Sequence, residues 1–341
     1  MRRIMVFILV GCILLSCNEN NKLGFIYLYA DNVDTDEPVY MKYPYRVKII
    51  DSVIYVLDLY PPENYLHAFS YPTINYLYSF GKRGDGPDEI TANGGFIVTK
   101  DSVATLDINK AKLLLYSTSD LSRGEYGPSK IVSFPRDFIP MTKIVKNKEG
   151  YISIDNTLNN RLLFFDSEGL FLNGQYEIPT SKTVQVEDIY KAILWTSDMS
   201  FNSNNNILAL ATVLGEVIEI YNLSNNTKEV IIGENGEPAL LKGNKSISLG
   251  RIEGYSDIIV ADNEIYTIFS GVEMFKLSEM YRKGENPPNG GNKIYVYDLS
   301  GNMLRKYLLD RYINGFYIDT ENKEIYAVDS NSDSPLCRFK F

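Results

Sequence analysis

Residues 51–58 read DSVIYVLD: a polar turn, a short run of apolar and aromatic residues, then a carboxylate. Val, Ile and Tyr suit a pleated, half-buried surface, and the run has the length of an ordinary strand. The element recurs as DSVATLD (101–107) and EGYISID (149–155), and in weaker form as NNILALA (205–211), NEIYTIF (263–269) and KEIYAVD (323–329). The copies end at 58, 107, 155, 211, 269 and 329, so they are spaced by 49, 48, 56, 58 and 60 residues. A unit of that size holds four short strands, which is one propeller blade.

A second element follows the first in four of the units. LLLYSTSD (113–120), LLFFDSEG (162–169), IEIYNLSN (218–225) and IYVYDLSG (294–301) each read as an apolar strand, an aromatic and a polar four-residue turn. Asp or Asn opening such a turn bonds to the amides ahead of it, and Gly or Asn closing it tolerates a left-handed backbone. This is hairpin chemistry in register with the first element. Six copies predict an all-β fold, a six-bladed β-propeller of four-stranded antiparallel blades. The last unit supplies three strands, INGFYIDT, EIYAVDS and LCRFKF, and stops. FIYLYA (25–30) belongs to no unit, so it is expected to complete the last blade as its outer strand and seal the ring, removing two open edges. The nearest helical pattern is VEDIYKAILW (186–195), too short and irregular to compete.

The chain has 341 residues, 45% of them hydrophobic and 23% charged, enough for a large core. Its formal charge of −9 opposes a nucleic-acid surface, which needs a basic stripe. His67 is the only histidine, so mechanisms built on several imidazoles are excluded. The 26 tyrosines and 16 phenylalanines fit strand composition, which makes sugar stacking an unneeded explanation.

The first seventeen residues read as an address. Arg2 and Arg3 precede the apolar run IMVFILVGCILL, which is short for a bilayer span. The run ends in Leu14-Leu15-Ser16-Cys17, which resembles a bacterial lipobox, with Leu at −3, a small residue at −1 and the thiol that accepts diacylglycerol at +1. Cys12 lacks those flanks. The expected organisation is a signal peptide over 1–16, a tether over 17–22 with the lipid on Cys17, and the propeller over 23–341. Acyl chains then hold a folded domain at a membrane with no spanning helix. Cleavage leaves 325 residues (341 − 16) and a charge of −11 (−9 less Arg2 and Arg3), with Cys337 as the one free thiol and no internal disulfide. Asn18 favours sorting to the outer membrane of the cell envelope.

FGKRGDGPDEI (80–90) packs three glycines and a proline into a charged loop. A phosphate loop needs Lys-Ser/Thr after its last glycine and a helix behind it. Here Lys82 and Arg83 precede the later glycines, and PDEITANGG is no helix. The loop instead joins the outer strand of one blade to the inner strand of the next, as GENGEP (233–238) does further on. Gly84, Gly86, Pro87 and Glu89 are its structural residues; Lys82, Arg83, Asp85 and Asp88 are candidates for a binding rim. In a four-stranded meander this crossing and the loop between second and third strands share a face. That face also carries the long segment 270–293, with Met274, Phe275, Tyr281, Arg282 and Lys283, and long loops on rigid scaffolds are often functional. Asp329, Asn331 and Asp333 have calcium-loop spacing, but Ser334 and Lys340 stand where Gly and Glu are needed.

The lipobox, the six units and the loop positions Gly84, Gly86, Pro87 and Glu89 together resemble the TolB-like six-bladed propeller lipoproteins of Gram-negative bacteria, relatives of the NHL-type propellers. The resemblance spans essentially the mature chain and implies fold and address more than activity. TolB itself works through protein partners, but this sequence shows no TolB-type amino-terminal domain, so that role does not carry over.

Two functions fit. The first is a non-catalytic binding module, tethered to the membrane through Cys17, that engages a protein, peptide or glycan; it implies no cofactor, no metal and no catalytic residue. The second is a metal-dependent hydrolase of lactonase type, which needs acidic ligands converging on the central channel. The expected inner strands YRVKII, GFIVT, MTKIV, SDIIV and NGFYI offer one clear carboxylate, Asp257. That favours binding. Fold alone does not choose.

Overall fold

A computed structural model describes residues 23–341 apart from 34, 37–38, 180–187 and 243–246. The expected signal peptide, 1–16, and Cys17 lie outside the described residues.

Six antiparallel sheets follow one another along the chain. Blade one comprises Pro44–Ile50, Val53–Asp58, Asn64–Ser70 and Tyr76–Lys82. Blade two runs through Asn93–Val98, Ser102–Asp107, Lys112–Ser117 and Lys130–Ser133. Blade three holds Ile144–Lys146, Gly150–Ile154, Leu162–Asp166 and Phe171–Gln175. Blade four holds Ser197–Asn202, Ile207–Thr212, Val217–Asn222 and Thr227–Ile232. Blade five holds Tyr255–Val260, Glu264–Phe269, Gly291–Asp298 and Met303–Ile313. Blade six takes Gly315–Asp319, Glu324–Val328 and Leu336–Lys340 from the C-terminus. The first strand of each blade touches the first strands of both neighbours, so the six form a closed inner ring. Among the described residues no helix is long and apolar enough to cross a membrane.

The recurring element of the sequence is the second strand of each blade, and its terminal Asp is a buckle. Asp58 accepts the N–H groups of Lys42 at 2.7 Å, Tyr43 at 2.8 Å and Tyr60 at 3.1 Å. Asp107 likewise accepts from Thr91 (2.8 Å), Asn109 and Lys110 (both 3.1 Å). Each carboxylate thus ties the chain entering its blade to the turn that leaves the second strand, satisfying amides that burial would otherwise orphan. Apolar cores fill the spaces between blades, as where Phe134 packs on Phe165 between blades two and three. One buried ion pair sits between blades three and four: Arg161 donates to Glu219 at 2.6 Å and to Ser197 Oγ at 2.7 Å, while Tyr221 donates to Glu219 at 2.6 Å.

The ring is sealed at the N-terminus, but not by the residues expected. Phe25–Leu28 runs parallel to Met303–Ile313 as a fifth strand on blade five. That partner is an eleven-residue strand with a free outer edge, and Leu28 enters the core beside Tyr307 and Leu309. Ala30 then donates to Asp310 Oδ1 at 3.1 Å, and Asp31–Asn32 pair antiparallel with Arg338 and Cys337. Those two residues are the fourth strand of blade six. A two-residue polar strand has no periodicity to read, whereas FIYLYA does.

Three further differences are local. STSD does not turn directly into the next strand; Ser117 caps a short helix, Thr118–Ser122. VEDIYKAILW forms a helix over Asp188–Leu194. The segment 270–293 contains a helix, Met274–Arg282, and the crossing after GENGEP carries an extra hairpin, Leu240–Lys242 with Ile247–Leu249.

Candidate functional site

The closed inner ring encloses a channel, and Arg46 from blade one fills its axis. Arg46 Nη2 pairs with Asp198 at 2.9 Å, and Nε pairs with Asp257 at 3.3 Å. Nη1 donates to the carbonyl of Asn314 at 2.7 Å and to that of Tyr45 at 2.8 Å; Nη2 also donates to the Ser256 carbonyl at 2.5 Å. One guanidinium therefore joins blades one, four, five and six, using the planar fork that suits Arg to such a place. Its neighbour at the start of the adjacent inner strand, in blade six, has to be a glycine. A Cβ on Gly315 would lie 2.4 Å from the Tyr45 carbonyl oxygen and 2.9 Å from Arg46 Cα.

Lys143, entering blade three, adds a second cation, 2.6 Å from Asp198. Burial alone would raise the Asp198 carboxyl, yet Arg46 and Lys143 hold it below the usual carboxylate range. Asp257 behaves oppositely. Burial pushes it up, and the Asp198 charge adds to that despite Arg46. It accepts the amides of Ile258 (2.9 Å) and Phe316 (3.2 Å), which fixes the start of the sixth inner strand.

Beyond this charged layer the channel widens into a cavity of about 390 Å³. Its lining reaches Thr99, Lys148 and Ser203, which lie in the turns between first and second strands. Lys48 stands two residues from Arg46 on the same face of the strand, half-buried in this cavity.

The expectation of a single channel carboxylate is thus corrected: Asp198 is the second. It was missed because the inner strand of blade four, Ser197–Asn202, was not recognised. The signal was present, since SDMSF (197–201) repeats the Ser-Asp opening of SDIIV (256–260).

The expected rim residues lie elsewhere. The loop 80–90 is a closed corner: Glu89 pairs with Lys82 at 2.7 Å and accepts the Gly86 N–H at 3.0 Å. Lys110 donates to the carbonyls of Gly86 and Glu89, and the amides of Gly84, Gly86, Glu89 and Ile90 are all taken up by acceptors of the loop itself, so none is left to cradle an anion. A Cβ on Gly84 would collide with the Glu89 carboxylate. Arg83 reaches the Pro61 carbonyl at 2.9 Å, and Asp85, Pro87 and Asp88 face solvent. Tyr281, Arg282 and Lys283 lie exposed at the end of the helix Met274–Arg282. Both segments leave the ends of strands opposite to the cavity, with blades six and one between them.

Two other polar features carry structure instead of chemistry. His67 is buried in the third strand of blade one, its Nδ1 2.8 Å from Ser79 Oγ; burial lowers its pKa to about 4. Asp329 accepts from Asn331, which binds Asn289 in the long loop of blade five, so this segment is a knot of internal bonds. Among the described residues no three His, Cys, Asp or Glu side chains converge.

Inner ring, meander blades and charged axis define a six-bladed β-propeller. The chain belongs to the TolB-like 6-blade propeller-like family, whose profile matches residues 28–321. Among solved structures it is similar to a member of the DUF4221 family from Bacteroides vulgatus, with a TM-score of 0.57 and 10% identity over 94% of this chain and 97% of that one. It is similar too to a Bacteroides fragilis protein described as exported, with a TM-score of 0.55 and 10% identity over 92% and 94% of the two chains. Streptogramin B lyase aligns with a TM-score of 0.50 and 12% identity over 92% and 97%. At such identities these likenesses show the fold. No curated protein matches the chain.

Proposed function

We propose that this protein is a lipid-tethered, non-catalytic binding propeller of the cell envelope, which engages a protein, peptide or glycan through the face bearing 81–93 and 270–293. The observation that carries the reading is the helix Met274–Arg282. It buries no residue and holds Phe275 at 70% and Tyr281 at 62% exposure. Large aromatics displayed beside Arg282 and Lys283 are the composition of an interface centre, where Tyr and Arg concentrate binding energy. The tether rests on the Leu14-Leu15-Ser16-Cys17 motif and the basic residues before it. Against the hydrolase reading stands the donor set of the channel. Arg46 and Lys143 already neutralise Asp198 and Asp257, leaving a divalent ion no free carboxylate there.

The test is photo-crosslinking in intact cells from position 281, with position 126 as an exposed control. A discrete adduct from 281 that disappears in Arg282→Ala, while Tm stays unchanged, supports the reading. An equal pattern from both positions overturns it. Turnover of a lactone or phosphoester, abolished by a chelator and by Asp257→Ala, would establish the hydrolase instead.

A further inference from the structure

The cavity at the open end of the channel has a charge that the chain as a whole does not. Five cations line it, Arg46, Lys48, Lys143, Lys146 and Lys148, against two carboxylates, Asp198 and Asp257. The difference is +3 in a chain whose formal charge is −9. Both carboxylates are already engaged by Arg46 and Lys143. The acidic residues in the neighbouring turns, Asp51, Asp101, Glu149 and Asp262, are not part of the lining.

Lys48 is the informative member. Arg46 pairs with Oδ1 of Asp257 and the Phe316 amide with Oδ2, and among the described residues no carboxylate lies within ion-pair distance of the Lys48 ammonium. A half-buried cation with no carboxylate paired to it is costly: burial depresses its pKa, the more distant Asp257 charge opposes this, and Arg46 adds to it. An anion delivered to it would remove that cost. Ser200 adds a directed donor, since its Oγ accepts the Val260 amide at 3.0 Å and leaves its own proton for a second acceptor. The remaining wall is apolar. Ile97, Val145 and Phe201 line the cavity and keep part of their surface open to it. About 390 Å³ falls within the range of small-molecule sites, which combine such apolar walls with a few fixed polar groups.

We propose that this cavity binds a small organic anion, its acid group, a carboxylate or a phosphate, on Lys48 and Ser200, and its apolar body on Ile97, Val145 and Phe201. The site faces away from the crossing loops, so it is independent of the surface assigned to a macromolecular partner. Lys146 and Lys148, exposed at the mouth, draw the anion in.

Calorimetric titration of the whole protein with octanoate, hexyl phosphate, octanol and inorganic phosphate tests this. Octanoate or hexyl phosphate binds about tenfold or more tighter than octanol, a difference of ~1.4 kcal/mol. Whichever acid binds tighter identifies the group that the site takes. Lys48→Met loses that preference with Tm held or raised, since a costly cation is removed, and Lys48→Arg keeps it. Octanol binding as tightly as the acids, or Lys48→Met behaving as wild type, overturns the proposal; inorganic phosphate binding as tightly as hexyl phosphate overturns the role of the apolar wall. NMR of the bound probe separates the two readings. A chemically altered probe would end the non-catalytic function but leave this site standing, whereas loss of the position-281 adduct alone would leave this site untouched.

Discussion

Arg46 is an arginine in the middle of a protein, and its worth is in what it holds apart. Asp198 and Asp257 come from different blades and would repel each other across the channel without the guanidinium between them. Truncating one partner of such a cluster strands the others, at a cost of about 3–5 kcal/mol. Arg46→Met should therefore be strongly destabilised at neutral pH. The pH dependence has a definite sign. In the native protein the depressed Asp198 carboxyl contributes stability at neutral pH that is lost as pH falls through its folded pKa. The raised Asp257 works in the opposite sense, its contribution fading as pH rises. In Arg46→Met Asp257 loses its paired cation and Asp198 keeps only Lys143, so both carboxyls move up and the variant is penalised by keeping them ionised. Urea unfolding at pH 7.5 and pH 4.5 should show a smaller gap between the two proteins at the lower pH. An equal gap at both would mean that Arg46 acts through packing alone.

At the scale of elements, the two ways of meeting the N-terminal segment separate cleanly. Phe25–Leu28 is an added strand whose chief buried side chain is Leu28, and burying one Leu is worth about 2 kcal/mol. Asp31–Asn32 buries little, yet with the Val33 amide on the Leu336 carbonyl it covers the edge of blade six. Deleting residues 23–30 should lower Tm by a few degrees. Extending the deletion to 33 should lower it further and promote self-association through the uncovered strand Leu336–Lys340. If both deletions melt alike, the seal lies elsewhere. The same segment marks how far the sequence could be read. Second strands were legible because alternation recurs in them and four of the six end in Asp, and Asp58 and Asp107 proved to hold the entrances of blades one and two. The polar pair Asp31–Asn32 is too short to show alternation, and the inner strand Ser197–Asn202 offers only Met199 and Phe201 among polar residues, so neither was. Charged residues in an inner strand read as surface until the ring closes around them. For that reason Asp257 was visible as a candidate, whereas its partners Arg46 and Asp198 emerged only from the assembled channel.

For the whole molecule the question is whether six blades unfold as one. Apart from the contacts that Arg46 and Lys143 make across the channel, each blade packs on its neighbours, as in a repeat array, but here the first and last blades also meet, and no disulfide links them. Two natural reporters sit on different parts of the ring. Trp195, the single tryptophan, is buried beside Leu194 and Val217 at the entry to blade four. Cys337 lies in blade six, directly opposite Asn32 in the seal. Burial raises its thiol to about 12, and it donates to the Ala327 carbonyl at 3.7 Å. At pH 8 such a group is held as the unreactive thiol, and it is sterically covered as well. In the domain 23–341, where it is the sole cysteine, alkylation by iodoacetamide should therefore be negligible in native buffer. As urea is added, the onset of labelling should coincide with the change in Trp195 fluorescence, because a closed ring has no end from which to fray. With residues 23–33 deleted, labelling should begin at lower urea than the fluorescence change. Labelling that precedes the fluorescence change in the intact domain would show instead that the seal opens alone, leaving blade six a separate unit held to a stable five-bladed remainder.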